Sequence, residues 1–107
     1  MLEVNKENFE AEVLEASKSQ PVMVDYYSPK CEPCQELMPE VEALAEKYGE
    51  KMKFCKLDIT KNRRLAISQR VMGLPTMCFY KDGEKVAQLS GEDLTAAEIE
   101  EEIKKHI

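Results

Sequence analysis

Residues Val22-Met23-Val24-Asp25-Tyr26-Tyr27 form a run without clean polar alternation. A strand with one wet face alternates, whereas a strand covered on both faces does not. The run therefore predicts a central strand, which needs strand neighbours and helices on each side. The flanking segments can supply both. Leu2 to Val4 is a short strand candidate, and Asn5 can cap a helix carrying Phe9, Val13 and Ala16 on one face. After the run, Cys34, Leu37, Met38, Val41, Leu44, Ala45 and Tyr48 recur with helical period. Pro39 inside this stripe predicts a kink, and Gly49 fits a C-terminal cap. Met52 to Ile59 reads as a third strand, with Thr60 capping a charged helix from Lys61 to Arg70. Gly73-Leu74-Pro75 then breaks the chain. Thr76 to Lys81 and Glu84 to Leu89 flank Asp82-Gly83, a hairpin signal. Thr95-Ala96-Ala97-Glu98 is a capping box leading into Ile99, Ile103 and Ile107. The order predicts an α/β fold: a parallel core sheet, an antiparallel hairpin at its edge, and helices on both faces.

At 107 residues the chain is expected to be one domain, residues 1–107. Apolar residues make up 43%, enough for a core without staples. The net charge of −6, with no basic tail, argues against nucleic acid as a partner. No apolar stretch approaches the roughly 18 residues of a membrane span, so no membrane partner is expected. Met1-Leu2-Glu3-Val4-Asn5 lacks the pattern of a signal peptide, which favours the cytoplasm. Four cysteines there do not call for a disulfide framework. A redox or metal role for the close pair, Cys31 and Cys34, is the expectation.

That pair sits in Lys30-Cys31-Glu32-Pro33-Cys34, between the buried run and the long helical stripe. A thiol at a helix mouth lies in the positive field of the helix N-terminus, which favours the thiolate. Cys31 is then the exposed nucleophile, and Cys34, one turn inside, the buried resolving thiol. Pro33 fixes the first turn. Lys30 favours the Cys31 thiolate, while Glu32 disfavours it but suits the dipole. The absence of a histidine between the cysteines leans the pair toward a reductant. Two other readings stand beside this one, inert thiols and half a zinc site. Zinc needs about four ligands, and Cys55, Cys78 and His106 are scattered singly. Cys55 and Cys78 read as small buried hydrophobes, and His106 as inert near the terminus.

Asp25 is an acid inside an apolar strand. It reads either as a solvated strand end or as a buried proton acceptor for Cys34. Lys56, in the next parallel strand, is its natural partner. Pro75 belongs at a strand start, with a trans bond as the default. Met72 is expected beside the mouth of the site.

With these features assembled, the chain resembles the thioredoxin family over nearly its whole length. Asp25 stands six residues before Cys31; Cys31, Cys34, Pro33, Pro39, Lys56, Gly73-Leu74-Pro75-Thr76, Gly83 and Gly91 fit the family pattern. The resemblance implies a thioredoxin fold: a central five-stranded mixed sheet of order 1-3-2-4-5 flanked by four helices, with a cis bond at Pro75. It implies a protein-disulfide reductase acting through Cys31, Cys34, Asp25 and Lys56. Met72, Gly73, Leu74, Pro75, Thr76 and Gly91 would meet the substrate. No bound cofactor or metal is implied beyond the Cys31–Cys34 disulfide. The expected partners are a thioredoxin-reductase-like flavoenzyme and disulfide-containing proteins, the chain itself being a monomer. Lys30 and Glu32 depart from the family's usual Trp-Cys-Gly-Pro-Cys, tryptophan is absent, and Tyr27 stands where one is common. Atypical thioredoxins of anaerobic bacteria that serve one reductase system are similar in this. Rival readings are an oxidase or isomerase on the same fold, and a docking module with incidental cysteines.

Overall fold

The computed structural model describes residues 1–107. Five strands form one sheet: β1 (Leu2–Glu3), β2 (Val22–Tyr27), β3 (Lys53–Asp58), β4 (Thr76–Lys81) and β5 (Glu84–Ser90), in the order β1-β3-β2-β4-β5. β2 pairs in parallel with β3 and antiparallel with β4, so it is central. All of its residues except Tyr27 are buried, which explains the missing alternation. β5, at the edge, alternates between exposed and half-buried positions. The helices are α1 (Glu32–Tyr48), α2 (Arg63–Ser68) and α3 (Ala96–Lys104).

Side chains leave each strand on alternate faces, and the two faces build two cores. Val22, Val24 and Tyr26 point to one face, where they pack with Phe9, Val13, Ala66 and Val71. Met23 points to the other and packs with Leu37, Val41 and Leu44 of α1 and with Ile99 and Ile103 of α3. Asp25 and Lys56 share the face of Met23 and Phe54, on the α1 side. Cys55 and Cys78 lie opposite, one on each side of Val24.

Several local expectations are corrected. The segment after Asn5 is not a regular α-helix. It runs through a turn into a π-helical stretch, Glu10–Glu15, and a 3-10 turn, Ala16–Lys18. Asn5 does cap it, its Oδ1 accepting from the N–H groups of Glu7 and Asn8 at 2.9 and 3.1 Å. Pro39 lies inside α1, which runs through it as one element. Gly49 ends α1 at a right-handed φ of −60°. What it supplies is room, since a Cβ there would lie 2.7 Å from the Ala45 carbonyl oxygen. Thr60 does not cap α2, because its N–H and hydroxyl both bond Asp58 Oδ1, at 2.9 and 2.6 Å. That turn delays the helix to Arg63, and Arg70 at φ 61° follows its end. Ile107 lies past α3 and is exposed. His106 is not loose: its ring stacks on Phe79 with centroids 5.6 Å apart, and Nε2 lies 3.2 Å from Glu102 Oε2.

The hairpin and the last helix follow their sequence signals. Asp82 and Gly83 both take positive φ, 54° and 83°, the backbone a two-residue turn between right-twisted strands requires. At α3, Thr95 Oγ1 accepts from the Glu98 N–H at 3.2 Å, and Glu98 Oε1 accepts from the Thr95 N–H at 3.0 Å.

Candidate functional site

The site begins where β2 ends at Tyr27. Ser28, 8% exposed, organises the turn that follows. Its carbonyl accepts from the Cys31 N–H at 3.0 Å and from Gln35 Nε2 at 3.1 Å, and its Oγ accepts from the Lys30 N–H at 3.1 Å. These bonds leave Cys31 at the N-cap of α1 with extended dihedrals, φ −87° and ψ 106°. Its sulfur sits where a serine or aspartate oxygen usually does and accepts from the Cys34 N–H at 3.2 Å. Negative charge on that sulfur is favoured by the N–H and by the helix dipole. Glu32 and Pro33 fill the first two helical positions, where a missing proline N–H leaves no bond unmade.

Cys31 and Cys34 are joined as a disulfide, their Cα atoms 5.2 Å apart, within the range that bond requires. Their environments differ: Cys31 is half-buried and Cys34 only 2% exposed. Lys30 and Glu32, on either side of Cys31, are exposed.

Asp25 lies beneath, on the sheet face that α1 covers, and is 2% exposed. Its Oδ1 is buried without a hydrogen-bond partner. Burial pushes its carboxyl up to about 7, with Lys56 pulling the other way by a smaller amount. Lys56 stands directly across the parallel ladder. Its influence acts through space, since it gives Oδ1 no hydrogen bond.

The third component is the loop before β4. Thr76 pairs with Tyr26, next to the end of β2, which sets residues 71–75 beside the Cys31 turn. The Leu74–Pro75 bond is cis, as the family resemblance implies and against the default from sequence. Pro75 is buried, Met72 and Gly73 are exposed, and Met72 is 90% so. Thr76 Oγ1 donates to the Gly73 carbonyl at 2.6 Å, and the Gly91 N–H donates to the Pro75 carbonyl at 3.2 Å. Gly91 takes φ 129°, and a Cβ there would come 3.0 Å from Asp93 Oδ1. The left-handed φ calls for glycine, whereas the exposed Asp93 side chain could move aside.

Sequence reasoning gave no role to Ser28 or Ser90. Ser90 Oγ lies 2.9 Å from Thr76 Oγ1 and ties β5 to the loop. A serine before Pro29 was the available signal for the first; cross-strand contacts left none for the second. Cys55 and Cys78 are fully buried on the opposite sheet face, where desolvation raises both thiols to about 11. No group of three or more His, Cys, Asp or Glu side chains is arranged to hold a metal. No helix is long and apolar enough to cross a membrane. None of the hollows in the surface is lined by Cys31 or Cys34. Half-buried Cys31 thus sits outside any enclosed hollow, which suits a macromolecular partner better than an enclosed small ligand.

Comparison with known proteins gives a consistent result. A family model described as Thioredoxin matches residues 1–105. The chain is 50% identical over 107 residues to a thioredoxin of Acetoanaerobium sticklandii, covering 100% of both chains. It is 48% identical over 107 residues to a thioredoxin of Peptoclostridium acidaminophilum, covering 100% of this chain and 96% of that one. The crystal structure of Fasciola hepatica thioredoxin superposes with a TM-score of 0.89 at 30% identity, covering 100% of both chains.

Proposed function

The chain belongs to the thioredoxin family, whose members reduce protein disulfides through a CxxC pair, and we propose that Cys31 opens this reaction and Cys34 closes it. The observation that carries the assignment is the contrast between the two sulfurs. Cys31 is reachable and caps a helix through its sulfur; Cys34 is sealed one turn inside.

In the dithiol state, the Cys31 thiolate attacks one sulfur of a substrate disulfide. A mixed disulfide forms, and one substrate thiolate leaves. Asp25, on the α1 side of the sheet with its carboxyl near 7, accepts the Cys34 proton. Cys34 then attacks the Cys31 sulfur, the second substrate thiol departs, and the Cys31–Cys34 disulfide remains. Lys56 tunes Asp25 through space. The exposed edge at Met72 and Gly73, with half-buried Leu74 beside it and Pro75, Thr76 and Gly91 behind, binds the extended segment around the substrate cystine. Lys30, Glu32 and Pro33 set the charge and backbone at the attacking sulfur. A thioredoxin-reductase-like flavoenzyme returns two electrons, so the protein needs no bound cofactor. The two cores share one sheet, which supports one domain over residues 1–107, and the proposed reaction needs only a monomer. A cytoplasmic location fits the same reading, since a dithiol reductant works where thiols are kept reduced.

Reduction of insulin disulfides by the wild type, lost in Cys31→Ser, tests the reading. Cys34→Ser should accumulate mixed disulfides with substrate through Cys31, mapped by peptide mass spectrometry. Adducts through Cys55 or Cys78 would refute the assignment.

A further inference from the structure

All three arginines of the chain, Arg63, Arg64 and Arg70, lie on or next to α2. Arg63 and Arg64 line a hollow of about 250 Å³ with Lys6 and Lys61, and no carboxylate lines it. All five cations are exposed. The ion pairs of the molecule form elsewhere, on Lys18, Lys47, Lys53, Lys104, Lys105 and His106. A chain with net charge −6 therefore keeps Arg63, Arg64 and Arg70 outside any ion pair, while Lys6 and Lys61 also border a second hollow that holds Glu3, Glu7 and Asp58. Exposed ion pairs contribute little to folding, so their absence costs the fold little, but it leaves a local positive potential.

The segment that carries these cations connects to the redox site through the chain. α2 leads directly into the loop that ends in cis-Pro75. Ile67 on α2 and Met72 just past it are 60% and 90% exposed. Exposed apolar side chains rimmed by cations are the composition of a protein interface, and methionine adapts its shape to varied contacts. Beyond the sulfurs the sign reverses. Glu32, Glu36 and Glu40 stand four apart on α1, and Glu36 and Glu40 share a shallow hollow with Glu92.

We propose that the α2 face, with Ile67 and Met72 as its apolar part and Lys61, Arg63, Arg64 and Arg70 as its charged part, docks disulfide proteins that carry an acidic rim beside their cystine. This rests on the thiol exchange assigned above to Cys31. A protein surface fits better than a small anion because the cations are exposed and spread along the segment rather than buried around one point. Opposite charge around the mouth also favours one orientation of the partner.

The test uses the reduced full chain and two cystine peptides, identical except for aspartates or lysines beside the cystine. The wild type should reduce the aspartate peptide about ten-fold faster at about 20 mM salt, and the difference should vanish near about 500 mM. Arg63→Glu/Arg64→Glu should reverse the order, and Arg63→Gln/Arg64→Gln, a milder change for the fold, should abolish it. Glu36→Lys/Glu40→Lys should keep it. Uncharged hydroxyethyl disulfide should be reduced equally by all. Loss of that last activity in the wild type would sink the exchange reading itself. A wild-type preference for lysine peptide, no preference, or an order that survives changes at 63 and 64 would overturn the docking proposal alone. Selective inhibition by inorganic phosphate at constant ionic strength would assign the cations to a small anion and would overturn it too.

Discussion

Asp25 shows how one side chain can carry a cost for the fold. Its carboxyl has an ordinary value of 3.8 and stands near 7 in the folded chain, because burial withholds water from the charge and Oδ1 finds no donor. Below pH 3.8 the acid is protonated in both folded and unfolded chains. Between that value and about 7 the folded chain holds a proton that the unfolded chain releases, so stability falls as pH rises through this window. Three pH units at about 1.36 kcal/mol each set an upper limit of roughly 4 kcal/mol. Asp25→Asn should therefore unfold at higher denaturant than wild type at pH 8, with the gap closing toward pH 4. The same variant should slow disulfide exchange most between pH 6 and pH 8, where the acid would have served as base. Equal pH profiles for stability would show that the carboxyl is solvated after all. The sequence pointed to this residue through a charge among apolar neighbours. It left open whether the charge was wet, because that depends on α1 lying over β2.

Local signals succeeded where the bonds they describe are local. The capping box at Thr95 and Glu98 joins residues three apart, and both of its bonds form. Thr95→Ala should lower stability by about 1 kcal/mol in chemical denaturation, because the Glu98 N–H loses its acceptor at the start of α3. The Asp82-Gly83 turn was legible for the same reason. Thr60 misled because Asp58 competes for both of its polar groups, and that competition depends on where β3 stops. The first helical segment misled differently. Its apolar spacing is right, and Phe9 and Val13 are buried, but spacing does not choose among helical windings.

Across the assembled sheet, alternation sorts four cysteines into two classes. Cys31 and Cys34 belong to the α1 end, while Cys55 and Cys78 are sealed in the other core with thiols raised to about 11. Thiol titration of the reduced protein at pH 8 should find Cys31 reacting fast, and Cys55 and Cys78 reacting only as denaturant unfolds the chain. Early labelling of either would mean that core opens locally. What the order of residues could settle was whatever follows from period and near neighbours: a central strand at Val22 to Tyr27, a helix opening at Cys31, a hairpin at Gly83, and hence the family. What needed the folded chain was every contact between distant segments: the Pro75 carbonyl meeting Gly91, Ser90 meeting Thr76, Ile67 and Met72 left bare beside the arginines. Periodicity is a property of the chain's own backbone geometry. Burial and charge are properties of what else arrives at the same place.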